Sequence, residues 1–150
     1  MKLYRIQRIQ TLPISLEESW HFFASPLNLP KITPPWLNLK VIEKVSPRMY
    51  PGMIISYRVK PFLGIPLTWI TEITHVDAPN YFVDEQRLGP YRFWQHQHHF
   101  RQIKDGVEIT DAVNYALKFG IFGRLIHAVM IKKTLEKIFD FRQKRLDQIF

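Results

Sequence analysis

Between Leu37 and Leu117 the chain carries six strand-like segments in succession, and every connection between them is too short for a crossover helix. Leu37, Leu39, Val41 and Val45 alternate with polar residues in the first. The rest fall at about 53–60, 66–76, 80–88, 91–103 and 107–117. They are separated by Pro51-Gly52, Pro61 to Gly64, Ala78-Pro79-Asn80, Gly89-Pro90 and Asp105-Gly106, all turn-forming sequences. Neighbouring strands are therefore expected to be antiparallel, which excludes a doubly wound α/β fold. Such a sheet needs a cover for its apolar face. After Lys118-Phe119-Gly120 no proline occurs, and only Gly123 interrupts a helical run to Phe150. Ile121, Leu125, Ala128, Leu135, Phe139 and Leu146 lie near one face of that run and are expected to meet the sheet.

The first residues complete the order of elements. Leu3 to Leu12 reads as a strand closed by Pro13. Ser15-Leu16-Glu17-Glu18 is a capping box, and Leu16, Trp20 and Phe23 follow at helical spacing until Pro26. Residues 27–35 leave room for one further helical turn before Pro34 and Pro35 force an extended exit. The expectation is a single α+β domain over residues 1–150. In it a curved seven-stranded antiparallel sheet, ordered strand, two short helices and six strands, wraps around a long C-terminal helix.

The 150 residues include no cysteine, which removes disulfide frameworks and zinc-thiolate sites and makes the cytoplasm the simplest expected location. Charges break the N-terminal Met1-Lys2-Leu3-Tyr4-Arg5, and no apolar run reaches bilayer length, so neither export nor a transmembrane span is expected. The net charge of +8 bears on association rather than fold. No nucleic-acid motif accompanies it, so nucleic acid is not an expected partner. Glycine-rich phosphate loops, nucleotide fingerprints and a Ser-His-Asp order are also missing, and no cofactor is expected.

Asn28-Leu29, Ile32-Thr33-Pro34-Pro35, Asp84, Gly89-Pro90, the run Trp94-x-His96-x-His98-x-Phe100, Asp111, Tyr115 and Phe119-Gly120, taken with the order of elements, resemble the SRPBCC superfamily. That group comprises START lipid-transfer domains, polyketide cyclases and birch-pollen-allergen relatives. The likeness covers essentially the whole chain. It is greatest to a bacterial branch of small cyclase/dehydrase-like or cell-division-inhibitor-like proteins, which offers no catalytic signature to carry over. The resemblance implies a helix-grip fold with a deep cavity between sheet and helix, used by relatives for lipids, sterols, plant hormones or polyketides.

Asp105-Gly106 favours a two-residue type I′ hairpin. If Lys104 then pairs with Val107, Phe100 stands opposite Asp111, His98 opposite Val113, His96 opposite Tyr115 and Trp94 opposite Leu117, all on one face. The other face, with Gln95, Gln97, His99 and Asn114, is more polar, so the Trp/His/His/Phe face is expected inward, with Asp111 diagonal to His98. Buried polar groups must be hydrogen-bonded. Three readings are open. His96, His98, Asp111 and Tyr115 orient a ligand or act as acid and base, or they form a network that only specifies the sheet, or His-x-His with a carboxylate binds a metal. A metal is not expected, for want of clear further ligands. Asp84 joins the cluster only if the turn at Leu88-Gly89-Pro90 sets the right parity.

Trp69, Tyr57 and Trp36 are candidates for cavity wall or plain core. Phe122, Ile126, Val129 and Met130 continue the line of the later polar face of the helix. They are candidates for a lid, a homodimer contact or peripheral membrane docking, unless the short helices and the 60–64 loop bury them. Phe122 and Met130 join Trp69, Asp84, Trp94, His96, His98, Phe100, Asp111 and Tyr115 as expected ligand-binding residues. The expected function is non-catalytic binding or transport of an apolar small molecule or lipid. The alternative is a cyclase- or dehydratase-type enzyme using His96, His98, Asp111 or Tyr115.

Overall fold

The computed structural model describes residues 1–150. Seven strands, β1 (Tyr4–Leu12), β2 (Lys40–Val41), β3 (Met53–Phe62), β4 (Ile65–Asp77), β5 (Tyr81–Leu88), β6 (Phe93–Ile103) and β7 (Gly106–Ala116), form one sheet in the order β1-β7-β6-β5-β4-β3-β2. Every pairing is antiparallel. Between β1 and β2 lie α1 (Leu16–Phe23) and two 3-10 segments, Pro26–Ile32 and Pro35–Leu37. Both halves of the Ser15/Glu18 capping box are made, which fixes where α1 starts. After β7 the chain continues as α2 (Gly120–Ile126), a π-helical turn (His127–Ile131) and α3 (Lys132–Ile149). This is the helix-grip arrangement the sequence led us to expect.

α3 lies across the sheet and buries Leu135, Phe139, Arg142 and Leu146. At its C-terminal end Leu146 packs with Phe23, Ile32, Phe82, Phe100 and Ile109, so α1 and the first 3-10 segment close one end of the sheet. Toward its start Leu135 and Phe139 pack with Tyr91, Val113 and Tyr115. Gln10 on β1 donates to Asp147 at 2.9 Å, tying the helix to the sheet edge.

Three expectations are corrected. The segment from Leu37 to Val45 is not a full strand: Pro35–Leu37 is 3-10, Asn38 is left-handed at φ 47°, and only Lys40 and Val41 pair with β3. The β6–β7 hairpin turns at Lys104 and Asp105, with Ile103 paired to Gly106. Neither turn residue has positive φ, so the turn is not type I′. Gly106 instead opens β7, where any side chain would collide with the backbone carbonyl of Leu12 on β1. The register therefore slips by two residues: His98 faces Asp111, His96 faces Val113, Trp94 faces Tyr115 and Phe100 faces Ile109. A slip of two keeps each residue on its expected face.

The third correction concerns the terminal helix. Ile121, Leu125 and Ala128, expected inward, are exposed, as are Phe122, Ile126, Val129 and Met130. The buried positions are Gly123, His127, Ile131, Leu135 and Phe139, a spacing of four. The π turn supplies the extra residue per turn that keeps this row in line.

Candidate functional site

A cavity of about 190 Å³ lies between the sheet, α3 and the first 3-10 segment. Its walls are mostly apolar, with Phe22, Leu29, Ile32, Val59, Trp69, Ile73, Trp94, Leu135, Ile138 and Phe139 among them. Its polar groups include Asp84, His96 and His98 from the sheet and Arg142 from α3. Tyr57 also lines it, and burial, with the Asp84 charge adding to it, pushes that phenol far up. Its hydroxyl therefore remains a donor.

The strand registers explain how the polar groups meet. Asp84 stands opposite His96 across β5 and β6, and His98 stands opposite Asp111 across β6 and β7, so all four share the concave face. Thr74 is an extra residue in β4, because Ile73 pairs with Asp84 while His75 pairs with Val83. The open question of parity at the β5–β6 turn is answered by the pairing of Asp84 with His96 and Glu85 with Gln95, and the Gln86 side chain spans the turn, both donating to and accepting from the backbone of Tyr91.

His98 Nε2 donates to Asp84 Oδ2 at 2.7 Å, and His96 Nε2 donates to Asp111 Oδ1 at 2.9 Å. His98 Nδ1 also lies 3.1 Å from Asp111 Oδ1, close enough for charge attraction but misaligned for a hydrogen bond. Arg142 reaches Asp111 at 3.5 Å, and its guanidinium stands over the Phe23 ring. The imidazoles lie 3.7 Å apart, with Phe82 stacked on His98 and Phe139 edge-on to His96.

For His96, His98 and Asp111 burial is the largest influence, and the neighbours oppose it to different extents. Burial, with His98 nearby, pushes the His96 imidazole below its ordinary value. Burial pulls His98 down as well, but its contacts to Asp111 and Asp84 outweigh it and the net shift is upward. Burial opposes the charge on Asp111, yet Arg142 and both imidazoles hold its carboxyl well below the usual range.

The two histidines thus act oppositely on stability. His98, raised in the fold, stabilises fully below its unfolded value of about 6.5, and this contribution is lost as pH rises through the raised value. His96, depressed in the fold, contributes stability above about 6.5 that is lost as pH falls. Urea unfolding between about pH 5 and 9 should therefore show His98→Gln without the alkaline decline of the wild type, and His96→Gln without part of the acid decline. An alkaline decline unchanged in His98→Gln would contradict the assignment.

Of the ten residues expected around a ligand, Trp69, Asp84, Trp94, His96 and His98 line the cavity. Asp111 sits behind the histidines. Phe100 is packed into the core between α1 and Leu146. Tyr115 is turned away from the cluster: it shares a 2.7 Å hydrogen bond with His127 Nε2 and packs on Tyr4. Burial, with Tyr4 and Glu136 adding to it, raises its phenol to about 12. Phe122 and Met130 project from the helix into solvent. Trp36 is exposed too. Arg142, missed by the sequence reading, was detectable from its place in the row Leu135, Phe139, Arg142, Leu146, where a charge at a buried position implies a partner.

No family model matches this chain, and no curated protein matches its sequence. Solved structures do match along nearly its whole length. Protein CV1439 from Chromobacterium violaceum superposes with a TM-score of 0.74 at 12% identity, over 96% of this chain and 95% of its own. Protein Ms6760 from Mycobacterium smegmatis gives 0.70 at 15% identity, over 97% and 90%. Ara h 8.0201 gives 0.60 at 13% identity, over 97% and 98%. No helix is long and apolar enough to cross a membrane. At these identities the likeness concerns the fold alone, an antiparallel sheet gripping a long C-terminal helix.

Proposed function

We propose that this protein binds an apolar small molecule in the cavity beneath α3, with the molecule's polar group turned to Asp84, His96 and His98, and carries it without chemical change. The reading rests on one observation above all: a largely apolar cavity with an ionisable cluster on its sheet wall. About 190 Å³ exceeds the roughly 150 Å³ that accepts benzene in an engineered cavity, so a single-ring or short-chain molecule fits and a two-chain lipid does not. Trp69 and Trp94 line the cavity, so intrinsic fluorescence reports occupancy directly. Titration with a short-chain fatty acid or a phenol should give a saturable emission change, abolished by Ile138→Glu, which places a charge in the wall. No saturable change with any apolar probe would defeat the carrier reading.

A specific observation also supports exchange at an anionic membrane surface. Phe119, Phe122 and Leu125 are 78%, 74% and 63% exposed, and Ile121 and Val129 join them on the protruding start of the helix. Lys118, Arg124, Lys132 and Lys133 flank them, with no acidic residue between Asp111 and Glu136. Exposed apolar side chains ringed by cations suit a negatively charged bilayer interface. The protein should cosediment with vesicles rich in phosphatidylserine and not with neutral ones. Phe122→Asp with Leu125→Asp should abolish this without loss of stability, since both side chains are in solvent. Concentration-dependent dimerisation lost in the same variant, with no vesicle binding, would assign the surface to a second copy instead.

A further inference from the structure

Asp84, His96 and His98 each offer one possible ligand atom, and the three atoms lie within 4.8 Å of one another. Asp84 Oδ2 lies 2.7 Å from His98 Nε2 and 4.0 Å from His96 Nδ1. Behind the rings, Asp111 Oδ1 accepts from His96 Nε2 at 2.9 Å and lies 3.1 Å from His98 Nδ1 without a hydrogen bond. A carboxylate behind an imidazole fixes its tautomer, aims its other nitrogen forward and makes that nitrogen a better donor, which is how metal-binding histidines are commonly held. Here Asp111 backs His96 in this way and stands beside His98, and Arg142 reaches that carboxylate at 3.5 Å.

The charges point the same way. Asp84 and Asp111 bring two negative charges against one guanidinium, beside a cavity whose other walls are mainly apolar. A cation held between Asp84 and the two imidazoles would meet both carboxylates. We propose that Asp84, His96 and His98 form a binding site for a divalent first-row metal ion such as zinc, supported by Asp111 and Arg142 and open to the cavity on its remaining side.

Two imidazoles and one carboxylate suit zinc, iron or cobalt, whereas magnesium and calcium prefer oxygen ligands throughout. Bonds of about 2.0–2.2 Å bring the donors to about 3–3.5 Å from one another. The His98–Asp84 hydrogen bond then opens slightly and the His96 ring swings toward Asp84. Both histidines sit on one strand two residues apart, so the movement is confined to side chains. The open positions face the cavity, where a hydroxyl or carboxylate oxygen of a bound molecule completes the shell. The metal site does not require such a molecule, so it stands or falls apart from the carrier reading.

Chelator-treated full-length protein titrated with Co²⁺ and followed by visible d–d absorption tests this directly. The expected result is saturable binding of one ion per chain, displaced by Zn²⁺. Asp84→Asn and His98→Gln should each weaken it by roughly 100-fold, and Asp111→Asn by about 10–100-fold. His75→Gln, which removes an exposed histidine of β4, should change nothing. Circular dichroism checks each fold, and if His98→Gln does not fold, Asp84→Asn at the half-buried carboxylate decides alone. No binding up to about 1 mM Co²⁺, or binding that survives Asp84→Asn, would overturn the proposal. Loss of cobalt binding with His75→Gln would likewise assign it to surface histidines.

Discussion

Replacing Arg142 with methionine should destabilise the protein by about 3–5 kcal/mol, the cost of leaving a buried charge without its partner. Arg142 and Asp111 are 7% and 6% exposed, and the guanidinium is the one full-time cation of the cluster. Methionine keeps much of the side-chain length against Phe23, so the loss reports charge rather than volume. Adding Asp111→Asn to the same chain should recover a large part of it, because the stranded carboxylate is then neutral. Urea denaturation of the four proteins in the cycle measures both effects. A single-variant loss below about 1 kcal/mol, or strict additivity, would mean that water reaches Asp111 and the pair is not closed.

Phe139→Ala is expected to cost about 3–5 kcal/mol, and Leu135→Ala about 2–5 kcal/mol. Both side chains are buried on the face of α3 that meets Val113 and Tyr115. Phe139 also stands edge-on to His96, so its removal loosens the ring and lengthens the cavity in one step. The two consequences are separable. Thermal unfolding should show the lost packing, while tryptophan emission should show saturation by probes one ring larger than the wild type accepts. Losses under about 0.5 kcal/mol in both variants would place the helix face wrongly.

Strand count, antiparallel pairing and the covering helix were legible because turn residues and periodicity are local signals. The inward face of β6 and β7 was legible for a similar reason: a side-chain period of two survives a register slip of two. What escaped was whatever a distant segment decides. The register lays Gly106 against Leu12, nearly a hundred positions away in the chain, where a side chain would not fit. It replaced a diagonal His98–Asp111 neighbour with a directly opposite one. Asp84 was undecidable because its face depends on the extra residue at Thr74 and on a glutamine side chain bridging the β5–β6 turn. Tyr115 was drawn from the cluster by His127, which reaches it from the π turn, a local change of pitch that no apolar periodicity announces. The same turn put Ile121 and Leu125 in solvent where a uniform 3.6-residue pitch placed them inward.

The sheet joins its first and last strands in the sequence: β1 pairs along its whole length with β7, from Tyr4 with Tyr115 to Leu12 with Val107. During synthesis β1 therefore emerges first and waits for more than a hundred residues to follow before its partner exists. Its alternating face stays uncovered throughout, and the ribosome adds about 5–20 residues each second, so the wait lasts on the order of 5–20 seconds. The meander from β3 to β7 has no such delay, because each strand meets its neighbour as soon as the intervening turn is made. Assembly should begin there, with β1 recruited last together with α3, and pairing across so long a loop places the chain among slow folders. Refolding kinetics of Ile6→Val on β1 should then show an effect on the unfolding rate and almost none on the folding rate.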